Sequence, residues 1–257
     1  MTVNTLDIAL LGILQGLLEW IPVSSSGQLS LILVNLLGLN PGAAYGYSIA
    51  AHLGTALSGS VFLRREIVDA LKLGVWARIT VIPLLTGAPI AYLVMENIPE
   101  ITGDYFNLLV GVMLIATALI LNINTNKTSE KKAEELTLKD LTLVGVAQGL
   151  SAIPGLSRSG ATIAVLLLLG VKPLDAVKAS FAAGIAATLL AALYETIKNT
   201  TTASMASLLV LTTTSLIAGI ASAGIMISLA AKYNNKIRLF TLIIGVIAAL
   251  AGIAPLL

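Results

Sequence analysis

Residues 6–37 read LDIALLGILQGLLEWIPVSSSGQLSLILVNLL, an apolar stretch interrupted by IPVSSSG at 21–27. About 20 consecutive apolar residues are needed to cross a hydrocarbon core of roughly 30 Å. The arms 6–20 and 28–37 are each too short for that. The same arrangement recurs at 140–153 and 161–170, separated by PGLSRSG at 154–160. Each pair reads as a broken helix pair that enters and leaves the membrane on one side. Non-helical backbone at that depth is tolerated only where protein or a water-filled cavity surrounds it.

The rest of the chain agrees that lipid is the solvent. Hydrophobic residues make up 57% of 257 residues and charged residues 11%, against about 25% charged in a soluble domain. Six further stretches are long and apolar enough to span: 44–63, 76–95, 105–123, 174–193, 205–231 and 237–256. The expected fold is therefore an all-α integral membrane protein of six transmembrane helices plus two re-entrant broken-helix pairs. The start, MTVNTLD, lacks the basic n-region of a secretory signal, so the first apolar stretch is expected to be retained. The absence of cysteine excludes disulfides and thiolate metal sites, and a single histidine excludes a multi-His zinc site. A formal charge of +2 gives no reason to expect nucleic acid as a partner.

Basic residues fix the predicted orientation. Thirteen of the fifteen Lys and Arg fall at 64–78, 127–139, 172–178 and 232–238. With six spans and two re-entrant pairs, all four segments land on one face. The positive-inside rule makes that face cytoplasmic and puts both termini outside, in the plasma membrane. The loop near 96–104 carries Glu96, Glu100 and Asp104 without a basic residue. The hydrophilic run 124–140, NTNKTSEKKAEELTLKD, reads as a solvated cytoplasmic linker with a helical tail. It separates a first half, 1–123, from a second, 140–257, with the linker at 124–139.

A shift of 133 residues superposes the two interrupted regions without a gap. Gly12, Gln15, Gly16, Leu17, Ser24, Ser26 and Gly27 meet Gly145, Gln148, Gly149, Leu150, Ser157, Ser159 and Gly160, seven identities in sixteen positions. Each half holds one re-entrant pair and three spans. Three is odd, so the second half is expected to be inverted relative to the first. Inverted repeats with discontinuous helices place a site near the midplane, between the halves.

The chemistry at the two breaks fits an anion. Short helices begin after each break, and their first amides lack intrahelical partners and face the positive end of the dipole. SSSG and SRSG add hydroxyl donors. Serine capping alone would leave Arg158 unexplained, because a buried guanidinium is costly; its fork suits phosphate or carboxylate. Glu19 lies four residues after Gln15, on the same helical face. It either neutralises Arg158, holds a divalent cation against phosphate oxygens, or moves a proton. His52, within SIAAHLGTAL, either satisfies a nearby carbonyl or belongs to the site.

QGLLEWIPVSSSGQL at 15–29 and PGLSRSGAT at 154–162 resemble the two signature motifs of the undecaprenyl-diphosphate phosphatase family, also linked to bacitracin resistance. The resemblance runs over nearly the whole chain in motif order, separation and span count. It implies hydrolysis of a polyprenyl diphosphate to the monophosphate, which recycles a lipid carrier. It implies Glu19, Ser25 and Arg158 as catalytic residues, with Ser24, Ser26, Gly27, Ser157, Ser159, Gly160 and Thr162 around the substrate. Gln15, Gln28 and His52 are further candidates. A divalent cation, Mg or Ca, is the expected cofactor, with Glu19 as its ligand. Partners are the lipid diphosphate, the membrane and, as an admissible state, a homodimer. Two positions depart from the family pattern: Gln15 replaces a Glu, and Gln28 replaces a His. Gln can neither accept a proton as a base nor bring charge to a cation. The alternative reading is a transporter or flippase for a lipid phosphate or other anion.

Overall fold

In a computed structural model, residues 4–97, 103–120, 130–198 and 204–229 are described, with scattered positions between 239 and 250. Among the described residues the chain is all-helical, apart from one isolated parallel bridge between Lys131 and Val171. The first half contains α1 (Thr5–Glu19), α2 (Ser25–Asn35), α3 (Pro41–Ala50), α4 (His52–Phe62), α5 (Arg64–Leu71), α6 (Val75–Asn97) and α7 (Gly103–Ile120). The second contains α8 (Leu138–Leu150), α9 (Arg158–Leu168), α10 (Pro173–Lys198) and α11 (Met205–Leu229).

The helix ends follow from local chemistry. Asn4 accepts the Asp7 amide at 2.9 Å to start α1, and Asn40 accepts the Ala43 amide at 2.8 Å just before Pro41 in α3. Among the described residues three helices are long and apolar enough to cross a membrane, α6, α10 and α11; they coincide with the expected spans 76–95 and 174–193 and with the described part of 205–231. Of the expected span 105–123, residues 105–120 lie in the apolar helix α7. The expected span 237–256, the basic segment 232–238 and the chain termini lie largely outside the described residues.

Two local features add detail to these expectations. The stretch 44–63 is two helices, α3 and α4, meeting at Ala51. There the imidazole Nδ1 of His52 lies 2.9 Å from the Ser48 carbonyl, the acceptor that an unbroken helix reserves for the His52 amide. At the described end of the hydrophilic run most residues are exposed, but two of them dock onto the core. Lys131 exchanges backbone hydrogen bonds with Gly170 and Lys172, both at 3.0 Å, and Ala133 and Leu136 are buried in the core beside Val171 and Val177. Two apolar residues in a polar run are enough to dock it.

The two halves exchange partners. α1 packs most extensively on α11, and α8 on α6. Backbones meet closely where glycine faces them. A Cβ at Gly12 would lie 2.7 Å from the Leu211 carbonyl, and one at Gly16 2.5 Å from that of Ser215. The matching glycines do the same: Gly145 would meet the Pro83 carbonyl at 2.8 Å, and Gly149 that of Gly87 at 2.5 Å. Glycine positions 133 residues apart thus face carbonyls 128 residues apart. Absence of a side chain at these crossings is what lets four helices converge on the two breaks.

Candidate functional site at the two helix breaks

The first break is held open by its own side chains. Trp20, fully buried, donates its indole N–H to Ser58 Oγ at 3.1 Å and packs on Phe181 at 4.4 Å between ring centroids. Gln28 donates Nε2–H to the Val23 carbonyl at 2.7 Å, replacing a helical partner that the break removes. Ser24 has φ 57° and ψ 78°, a left-handed conformation that a non-glycine residue adopts at a cost of about 1–3 kcal/mol. Strain of this kind persists only when the surroundings enforce it, and its effect is to aim Ser25 back toward the end of α1.

The second break is pinned from α7. Thr117 donates its hydroxyl to the Gly155 carbonyl at 3.0 Å and accepts the Ser157 amide at 2.9 Å. Ser157 then caps α9 by accepting the Gly160 amide at 3.1 Å. Tyr45 donates to the Ala152 carbonyl at 2.6 Å. The two breaks touch one another, because a Cβ on Gly27 would stand 2.6 Å from the Gly155 amide nitrogen, and one on Gly160 would meet Pro22 Cβ at 3.5 Å.

Glu19 is the centre of the cluster that results. Its Oε1 accepts Arg158 Nη2 at 2.8 Å; its Oε2 accepts Ser25 Oγ at 2.7 Å and Gln15 Nε2 at 2.9 Å, and lies 3.1 Å from His52 Nε2. Arg158 Nη1 also donates to the Ser180 carbonyl at 3.2 Å. All five side chains are buried or nearly so. A carboxylate and guanidinium taken out of water together need this many partners; removing one from a buried pair typically costs about 3–5 kcal/mol. Among the described residues, four buried side-chain atoms have no partner, all at or beside the site: Ser24 Oγ, Arg158 Nε, Gln15 Oε1 and Gln148 Oε1.

A cavity of about 290 Å³ opens from this cluster. Its polar end is formed by Glu19, Ser24, Ser25, Ser26, His52, Ser157, Arg158 and Ser159. Its walls are apolar and come largely from α6 and α10, with Leu84, Ala88, Met95, Ala187 and Leu190 among them. Other candidate residues have different places. Gly27 and Gly160 join the breaks, Gln28 holds the first break, and Thr162 donates to the Arg158 carbonyl at 2.8 Å and pairs with Ser180 Oγ at 2.6 Å. Thr162 therefore buttresses α9 against α10 and does not line the cavity.

Sequence reasoning misses Gly184. A Cβ there would fall 1.7 Å from Arg158 Nη1 and 2.3 Å from its Cζ, so the guanidinium occupies the space that a side chain would fill. The surrounding run of Ala and Gly in α10 carries no signal that one of them is a seat. Both oxygens of Glu19, the expected cation ligand, already accept hydrogen bonds from neighbouring side chains.

Comparison with known proteins finds relatives in sequence. A family profile described as bacitracin resistance protein BacA matches residues 8–250. An undecaprenyl-diphosphatase of Methanothrix thermoacetophila is 40% identical over 191 residues, 72% of this chain and 73% of its own. One of Saccharolobus solfataricus is 33% identical across 95% of this chain and 94% of its own. A third, of Methanococcoides burtonii, is 35% identical across 72% of this chain and 76% of its own.

Proposed function

The chain belongs to the BacA family, and from that premise we propose that it is a membrane hydrolase that cleaves a polyprenyl diphosphate of the undecaprenyl class into the monophosphate and inorganic phosphate. One observation carries the reading. A serine hydroxyl, Ser25, donates at 2.7 Å to a carboxylate that Arg158 grips at 2.8 Å, at the polar end of an apolar cavity.

The parts divide the work. The isoprenoid chain runs along the walls from α6 and α10. The terminal phosphate sits between the starts of α2 and α9, taking the unspent donors Ser24 Oγ and Arg158 Nε together with free helix amides. Ser25 Oγ attacks the terminal phosphorus while Glu19 Oε2 accepts its proton, a nucleophile and base already in hydrogen-bond contact. A loose phosphoryl transition state depends on positioning and on fixed charge, both of which Arg158 supplies.

The same reading includes six spans, two re-entrant pairs and inversion of the second half. The matched glycine crossings of α1 on α11 and α8 on α6 support it. Charge placement supports a cytoplasmic basic face. Lys178 pairs with Glu66 at 3.1 Å near the start of α10, whereas Lys198 pairs with Glu96 at 2.7 Å at its far end, about 30 Å along the helix.

Phosphate release from undecaprenyl diphosphate by the purified protein tests the function. Release at enzymatic rates is expected. Binding of the lipid without release would instead favour a transporter of lipid phosphates.

A further inference from the structure

We propose that His52 is a catalytic residue of this site, the group that gives a proton to the leaving lipid phosphate and takes one from the attacking water. The inference rests on the hydrolase reading. It starts from the first residue of α4, whose ring faces two acceptors. Nδ1 lies 2.9 Å from the Ser48 carbonyl and Nε2 lies 3.1 Å from Glu19 Oε2. A carbonyl oxygen only accepts, so Nδ1 carries a hydrogen. Glu19 Oε2 already accepts from Ser25 and Gln15, and Oε1 accepts from Arg158; Nε2 lies within hydrogen-bond distance of the same oxygen to which Ser25 donates.

The ring is therefore locked in orientation, with Nε2 aimed at the carboxylate that Ser25 and Arg158 share. A histidine that merely satisfied Ser48 would need only Nδ1. Nothing in that role explains Nε2 at the oxygen to which Ser25 donates, on the wall of the cavity. Gln28, at the position where the family pattern has an imidazole, is buried and committed to Val23, and it does not line the cavity. His52 approaches the same carboxylate from another helix.

The protons balance. In the first step the Ser25 Oγ–P bond forms and the P–O bond to the lipid phosphate breaks. The Ser25 proton goes to Glu19 Oε2, and the Nε2 proton goes to the departing oxygen. In the second step water attacks the phosphoserine and gives its proton to the now neutral Nε2. The P–Oγ bond breaks, and Ser25 recovers its proton from Glu19. One water is consumed, and Ser25, Glu19 and His52 all return to their starting states.

His52→Gln tests this, because glutamine keeps an N–H donor of similar reach but cannot carry a proton. Kinetics with undecaprenyl diphosphate should show kcat lowered about 100-fold, with KM changed less than about threefold and an unaltered melting temperature. If that variant does not fold, His52→Asn, which can retain the bond to Ser48, is read in the same way. A kcat within about threefold of wild type, or a loss confined to KM, would overturn the role of His52 and leave the hydrolase reading intact. A wild type that releases no phosphate would remove both.

Discussion

Gly27 and Gly155 stand in backbone contact, each from a different half of the chain, with only 2.6 Å between the nitrogen of one and the place a Cβ would take on the other. Through this contact the two breaks share a single wall, and Glu19 from one reaches Arg158 from the other. The geometry of the charged cluster depends on that junction as much as on the charges.

The Arg158 fork is expected to be irreplaceable by a point charge. Arg158→Lys keeps the charge but loses the two-sided hold on Glu19 and the Ser180 carbonyl. Turnover should fall about 10²- to 10³-fold, as for loss of a preorganised donor. Steady-state kinetics of the purified variant would check this; near-normal turnover would mean the guanidinium is structural.

Gly184 makes a subtler test. Gly184→Ala places a methyl where Arg158 Nη1 now lies, so the guanidinium must swing away although no polar group is removed. A displacement of about 1 Å is enough to cost roughly 100-fold in catalysis. Activity should drop by that order with little change in thermal stability. An active Gly184→Ala protein would show that Arg158 tolerates a second position.

Lys131 and Asp140, 2.6 Å apart, clasp the docked end of the linker at the start of α8, outside the long spanning helices. Burial alone would raise the Asp140 pKa, but the Lys131 ammonium and the Thr137 amide and hydroxyl hold it below the usual carboxylate value. A depressed native pKa contributes stability that is fully present above the unfolded value of about 3.9, and lost as pH falls through the native one. Asp140→Asn should lower the melting temperature at pH 7, by the equivalent of about 1 kcal/mol. The gap between variant and wild type should close as pH falls below 4; a gap that persists there would assign the effect to packing.

Orientation can be read directly because the chain has no cysteine. Single cysteines at Thr2 and at the exposed Lys132 are to be challenged in intact cells with a membrane-impermeant thiol reagent. Labelling is expected at Thr2 only. Labelling at Lys132 alone would reverse the topology and the assignment of the basic face.

Much of the site was legible because charge in an apolar chain is scarce and costly. Glu19 and Arg158 stand out against lipid-facing sequence, and their meeting was one of the readings the residues left open. The 133-residue repeat announced that two breaks existed. It could not announce that Gly27 and Gly155 interlock, since contact between distant segments leaves no local pattern. The same limit hid the division at Ala51, where a side chain rather than a proline competes for a carbonyl. Gly184 was hidden for another reason: in a helix rich in Ala and Gly, a residue that matters through the atoms it lacks looks like its neighbours. Ala133 and Leu136 were lost within a hydrophilic average.

The ion pair between Glu19 and Arg158 also bears on product inhibition. Before any lipid arrives, two of the guanidinium nitrogens are engaged by Glu19 and the Ser180 carbonyl, and Nε is unspent. A diphosphate, with its additional phosphoryl charge, is expected to compete with the carboxylate for the other nitrogens better than the monophosphate that remains after cleavage. The pair is therefore expected to favour release of the spent carrier. Its signature would be an inhibition constant for polyprenyl monophosphate that tightens in Glu19→Gln; an unchanged constant would show that the carboxylate does not compete.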